Sequence, residues 1–410
     1  MQKQLAAAVH LFLHKFVKHK VSHMTEYRPG LDGVIATESS ISDIDGKKGI
    51  LSYRGYSIEE LAKKSNFEET SYLLLTGELP SNKELKSFSK NINKHRNLSK
   101  DFLKLLESLP KDSNPMDVLQ LSISALGAFY PISFDSEDLK SGKYDQQYFL
   151  DISATLIGSI GSIVAAWNRI RQNKEYISSD DSLNYAENFL HMLDDEIKPS
   201  NLIKKIMDAT LVLHAEHTIN ASTFTSMVTA STLASPTQVM ASAIGSLSGP
   251  LHGGANQKVV LMLEQMGSKE KVESWLDERL ESKQVVWGMG HREYSTKDPR
   301  ANILTDMVKD LFKEQSGKVS PMFETAMALE EACDERLSKK GVYANVDFYS
   351  GILYKEMGIP VDLFTTIFAT SRISGWLAHW VEQVNNNKIF RPTQNYKGYK
   401  ARDYKDISSR

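Results

Sequence analysis

Along most of this chain apolar residues return every three or four positions, the period of a helix with one buried face. Such segments are predicted near 116–129, 150–172, 181–194 and 201–214. Their boundaries carry matching chemistry. Ser57-x-x-Glu60 and Ser81-x-x-Glu84 have capping-box spacing, in which serine and glutamate each satisfy a backbone N–H at the helix start. Asn114 followed by Pro115 supplies a cap and a first-turn proline. Only between Gly30 and Tyr56 does the pattern become short and extended. There Val34, Ala36 and Ile44 precede the turn Asp45-Gly46 and Ile50 to Tyr53 follow it, which predicts a small hairpin. The chain reads as mainly α, with this one N-terminal β-hairpin.

Two stretches depart from ordinary amphipathic helices. Between Thr218 and Gln257 there is no Asp, Glu, Lys or Arg. Ser, Thr, Asn, Gln and Pro recur too often for a lipid-facing span, so two buried helices are predicted near 218–233 and 236–247. Surface this neutral also suits a subunit interface. The second stretch, about 362–385, is apolar nearly all round through Leu363, Phe364, Ile367, Phe368, Ile373, Trp376, Leu377 and Trp380. Arg372 lies in its middle, with no acid between Asp362 and Glu382. A buried guanidinium needs a partner, here either a distant carboxylate or a bound anion. Just before it, a helix from about Val346 to Met357 is expected to stop at Gly358, with Pro360 beyond.

A length of 410 residues exceeds one compact core. The expected division is a large helical domain of 25–252 plus 358–410, a smaller helical domain of 253–357, and an extension of 1–24. That extension carries four lysines and four histidines before Met24 and no acid, with Leu5, Val9, Phe12 and Phe16 on one face. It reads as a basic amphipathic arm. A net charge of -2, with no basic cluster interleaved with aromatics, argues against a nucleic-acid partner. No membrane partner is expected, and the location expected is cytoplasmic. The single cysteine, Cys333, excludes an intramolecular disulfide and multi-cysteine metal sites. It shares a helical stripe with Met322, Ala326 and Leu329, as a small core residue does.

The candidate chemistry gathers on glycine-flanked turns. Gly249-Pro250-Leu251-His252-Gly253-Gly254-Ala255-Asn256 sets a histidine where the backbone allows close approach of a ligand. Gly288-Met289-Gly290-His291-Arg292 repeats the arrangement, followed by Asp298-Pro299-Arg300. His214-Ala215-Glu216-His217 is a metal suspect, because His214 and His217 could share a helical face, and His214-x-Glu216 opens a zinc deaminase signature. The second half of that signature is missing, and H-E-x-x-H is not met. A zinc hydrolase or deaminase is therefore the alternative from a different class.

These motifs, taken with Asn345-Val346-Asp347, Ser371-Arg372, Trp376-Leu377-Ala378-His379-Trp380 and Arg391-Pro392, resemble the citrate synthase family in both residues and order. The opening Gly30-Leu31-Asp32-Gly33-Val34 and Tyr53-Arg54-Gly55-Tyr56 fit as well, so the resemblance runs from about Thr25 to Tyr399. It implies a two-domain helical fold and condensation of oxaloacetate with the methyl carbon of acetyl-CoA, followed by thioester hydrolysis to citrate and CoA. By position, Asp347 would be the base, His252 the donor to the thioester oxygen, and His291 the donor to the oxaloacetate ketone. His217, His291, Arg300 and Arg372 would bind oxaloacetate, with Arg391 reaching the site from the other subunit of a homodimer. CoA would lie against Val286 and Gly288, with Lys297 the nearby lysine. No metal is implied and no cofactor beyond acetyl-CoA as co-substrate. The resemblance is to the dimeric type without a β-rich NADH-regulatory segment, and the neighbouring family activity is 2-methylcitrate synthesis from propionyl-CoA.

Overall fold

Helix-start signals set the register of nearly every element in the computed structural model, which describes residues 27–410 apart from 133, 195, 197, 198 and 315–319. The amphipathic arm expected over 1–24 lies outside the described residues. Ser81 and Glu84 form the full capping box at the head of the helix Asn82–Lys94. At Ser57 only half of the box forms, with the serine oxygen accepting from the Glu60 amide. Asn114 caps Pro115–Phe129, and Gly358 turns left-handed just beyond Val346–Glu356. The predicted hairpin is present as Ser42–Asp45 paired antiparallel with Ile50–Tyr53, and the short strand Tyr56–Ser57 adds a third strand.

By contacts the described chain separates into two units, Ser39–Phe390 and a unit made of the residues before it together with Arg391–Arg410. Within Ser39–Phe390 the helix Phe364–Asn385 is the axis. Every side chain from Phe364 to Trp380 is buried, and Phe67–Thr76, Gln146–Arg171, Asn201–His214, Ala221–Ala230 and Pro236–Leu247 pack around it. Gln146–Arg171 is long and apolar enough to cross a membrane by length and composition, yet 89% of its most apolar window is buried inside the protein. It therefore serves as a core helix.

The uncharged stretch forms Ala221–Ala230 and Pro236–Leu247, packed on one another and on Pro115–Phe129. Most of Pro236–Leu247 and one face of Ala221–Ala230 are buried, while Leu121, Phe129 and Val228 keep one side of the group exposed. A second group brings together Ala255–Met266, Pro299–Glu314, Pro321–Leu337 and Val346–Glu356. Cys333 is fully buried there, with Ala326 and Leu329 on the same stripe.

Candidate active site

Asn201–His214 ends in a turn that carries His217, and this turn lies directly against the middle of Phe364–Asn385. The Arg372 Nε donates to the His214 carbonyl at 2.7 Å, the Gly375 amide donates to the Ala215 carbonyl at 3.1 Å, and Ser371 Oγ donates to the Leu211 carbonyl. This approach requires glycine at 375, because a Cβ there would run into the Ala215 carbonyl oxygen and the Glu216 carboxylate. Gly375→Ala is expected to destabilise the protein by about 1–3 kcal/mol in denaturant unfolding, the usual effect of overpacking. The guanidinium of Arg372 is buried over the Phe368 ring, 4.8 Å from its centroid. Burial pulls its pKa down to about 10, against the opposing charge of Glu216.

A second convergence joins the two segments expected to carry His291 and Asp347. Gly288 and Gly290 both have positive φ, and a side chain at 288 would meet Phe348 and Val259. The Gly290 amide donates to the Tyr343 carbonyl at 2.7 Å, the Asn345 amide donates to the Gly288 carbonyl at 2.9 Å, and Asn345 Nδ2 donates to the Gly290 carbonyl at 2.9 Å. Asn345 also caps the helix that begins with Val346 and Asp347. One asparagine thus fixes the His291 turn and the Asp347 helix start together. The sequence marked it as a residue of the Asn345-Val346-Asp347 motif, but not as the link to the His291 turn.

The ring contacts show how tightly the histidines are gathered. His217 and His291 have ring centroids 5.0 Å apart. Tyr294, which sequence reasoning did not single out, packs against both rings and shares a 3.1 Å hydrogen bond with His217 Nε2. His291 Nδ1 accepts from the Glu293 amide at 3.0 Å, which leaves the proton on Nε2. His252 Nε2 sits 3.3 Å from the Ser222 amide, a group that can only donate, so the His252 proton belongs on Nδ1. The Ser222 hydroxyl, 2.8 Å from the same nitrogen, accepts from Trp376 Nε1 and is tied to Asn220. Ser222 was also missed, since nothing distinguishes it within an uncharged helix start.

Electrostatics link these groups into one site. Burial first, then the Arg300 and Arg372 charges, hold His217 far below its ordinary range. Burial and Arg372 bring His252 down to about 4, and burial and Arg300 do the same for His291. Both imidazoles are therefore neutral near pH 7. Burial raises Asp347 to about 6, partly offset by Arg300 and Arg372, and among the described residues its carboxylate has no ion-pair partner. Arg300 is buried in a bidentate pair with Asp298, through Nε at 3.0 Å and Nη2 at 2.7 Å.

The structure thus brings together His217, His252, His291, Arg300, Asp347 and Arg372. Val286 is buried beside Gly288, whereas Lys297 is engaged by Glu330 at 2.6 Å. Arg391 lies in the exposed segment Arg391–Arg410, its guanidinium bonded to the Pro392 carbonyl. The side chains of the metal alternative each make other contacts. His214 bonds the Thr210 carbonyl, Glu216 is held by Ser42 and His379, and His217 meets Tyr294. Among the described residues no group of three His, Cys, Asp or Glu side chains is placed to hold a metal ion.

Residues 30–393 match the family model described as citrate synthase, C-terminal domain. This chain belongs to the citrate synthase family. The citrate synthase of Acidithiobacillus ferridurans is 47% identical, the alignment covering 94% of this chain and 98% of the relative. That of a Synechocystis strain is 45% identical, covering 94% of each. A ternary complex of the Thermoplasma acidophilum citrate synthase with carboxymethyl coenzyme A and oxaloacetate superimposes with a TM-score of 0.86 at 30% identity. The superposition covers 94% of this chain and all of the archaeal one. Membership in the family makes the protein an enzyme of citrate synthesis, a transferase.

Proposed function

We propose that the enzyme condenses oxaloacetate with acetyl-CoA and hydrolyses the resulting citryl-CoA to citrate and CoA. The observation that carries this reading is a half-buried carboxylate, Asp347, without an ion-pair partner among the described residues, in one site with the half-buried imidazoles of His252 and His291 and the buried guanidiniums of Arg300 and Arg372. A thioester methyl group is a very weak carbon acid, so a base removes its proton only while the developing oxyanion is stabilised. Asp347 takes the methyl proton, and the Nδ1–H of His252 donates to the thioester oxygen as the enol forms. The enol carbon attacks the ketone carbon of oxaloacetate, whose oxygen takes the Nε2 proton of His291. Water then cleaves the thioester and CoA leaves as the thiol.

Oxaloacetate is a dianion. Arg372, whose buried guanidinium among the described residues meets a carbonyl oxygen and the face of Phe368, supplies charge for one carboxylate. Arg300, oriented by Asp298, and His217 supply further contacts, and Arg391 of a second subunit completes the site in a homodimer. No cofactor or metal takes part beyond acetyl-CoA as co-substrate. CoA would lie along Val286 and Gly288, and Lys297 would reach a CoA phosphate only by exchanging Glu330 for it. Closure of a small domain, 253–357, over a large one, 25–252 with 358–410, would exclude water from the enol. We expect the reaction to run in the cytoplasm.

Measuring kcat/KM for acetyl-CoA and propionyl-CoA with oxaloacetate tests the reading. One methylene changes pocket binding by only about 1–3 kcal/mol, so both substrates should react, with acetyl-CoA preferred. A preference for propionyl-CoA would make the enzyme a 2-methylcitrate synthase, and no condensation with either would refute the proposal.

A further inference from the structure

The two histidine-bearing turns are joined at one point by an interaction outside the reacting groups. Lys258 lies in the first turn of Ala255–Met266, directly after the loop that carries His252. Its Nζ donates to the Pro250 carbonyl at 3.0 Å, two residues before His252. The same ammonium sits 3.9 Å from the centroid of the Trp287 indole, four residues before His291. Lys258 and Trp287 are both half-buried, which strengthens a cation–π contact by removing competing water. Val259, the next residue, touches the position where Gly288 would bear a side chain. Consecutive residues of one helix turn therefore hold both loops. Gly253 is itself fixed by donating to the Leu247 carbonyl, so little slack remains on the His252 side.

From this geometry we infer that Lys258 and Trp287 form a positioning pair that sets His252 against His291. The pair acts through the loops and touches no reacting atom. The inference rests on the proposed reaction, because it assigns the pair's effect to the attack step, in which the enol formed against His252 must meet the ketone held by His291. Lys258 also lines a cleft of about 660 Å³ with Arg171, Asp362 and Lys111, on whose wall Pro250 and Gly254 lie. Arg171 is paired with Asp362 and Lys111 with the Glu107 carbonyl, so the cations there are already engaged.

The test compares Lys258→Met, Lys258→Arg, Trp287→Leu and the double variant Lys258→Met/Trp287→Leu in the full chain. Lys258→Met should lower kcat about tenfold with KM for oxaloacetate unchanged, the size of one desolvated cation–π contact. Lys258→Arg, which keeps both the charge and the donor, should restore most of that loss. The double variant should lose little more than either single variant, because one interaction is being removed twice. A Lys258→Met variant that raises only KM for the acyl-CoA would make Lys258 a substrate ligand and overturn the inference. An unchanged kcat, or a loss that tracks only a lowered melting temperature, would overturn it as well. Amide exchange reads the link without turnover. Lys258→Met should raise exchange in 249–254 and 287–291 together, and unchanged protection there would sink the inference whatever reaction the native chain performs. Native protein that forms no citrate would instead refute the function, leaving the exchange result to decide the coupling.

Discussion

Replacing Asp347 by alanine is expected to lower kcat on the order of a thousandfold while oxaloacetate still binds. The carboxylate sits at the start of Val346–Glu356, its own amide bonded to the Asn345 cap, and burial raises its pKa to about 6. A base whose pKa lies that close to the working pH is ionised at pH 7 yet retains more proton affinity than an exposed aspartate. For the native enzyme, kcat/KM should therefore fall as pH drops through about 6, where the base becomes protonated. The same shift has a stability consequence of opposite sense. Because the folded pKa lies above the ordinary 3.8, ionisation of Asp347 disfavours the folded state, and that penalty is complete only above about pH 6. Asp347→Asn should accordingly melt at a higher temperature than the native chain at pH 7 to 8 and show no such gain at pH 4. Isothermal titration with oxaloacetate, steady-state kinetics and calorimetry read the three parts. A variant with near-normal kcat would remove Asp347 from the mechanism.

The helices were legible because their starts are chemically marked: Ser81 with Glu84, Asn114 with Pro115, and Gly358 as a stop all act where their spacing places them. Arg372 was legible as a question, a buried charge without an acid in helical reach. The answer to its immediate surroundings, the His214 carbonyl and the Phe368 face, required the tertiary crossing that Gly375 permits. The supporting contacts were hidden for a common reason. Tyr294, Ser222 and Asn345 act through hydrogen bonds to partners between 30 and 77 residues away, and local spacing carries no trace of such pairings. His379 and Glu216 form a buried pair 163 residues apart in sequence, and the WLAHW run gave no sign that its histidine points at the turn carrying His217. Lys297 shows the converse. Its position near the site was readable, but its carboxylate partner Glu330 belongs to the helix Pro321–Leu337.

The second large effect concerns Arg372. Arg372→Ala should weaken oxaloacetate binding about a hundredfold, the loss associated with removing one partner of a desolvated, hydrogen-bonded charge pair. Three features separate loss of an anion ligand from loss of fold. The protein buries this guanidinium against a carbonyl and a ring, an arrangement that contributes little to stability, so a shape-matched Arg372→Met should melt near the native temperature. Arg372→Lys should recover only part of the affinity, since an ammonium cannot present the planar fork that pairs with both oxygens of a carboxylate. Arg372 also holds the pKa of Asp347 down, so in Arg372→Met the acid limb of kcat/KM should move to higher pH. Its charge depresses His252 in the same way, which means that imidazole should titrate at higher pH in the variant. Titration calorimetry with oxaloacetate and pH–rate profiles measure these together. Unchanged affinity with an unmoved acid limb would show that the substrate dianion is held by other groups, and that Arg372 serves only to pin the helix Phe364–Asn385 against the turn at His214.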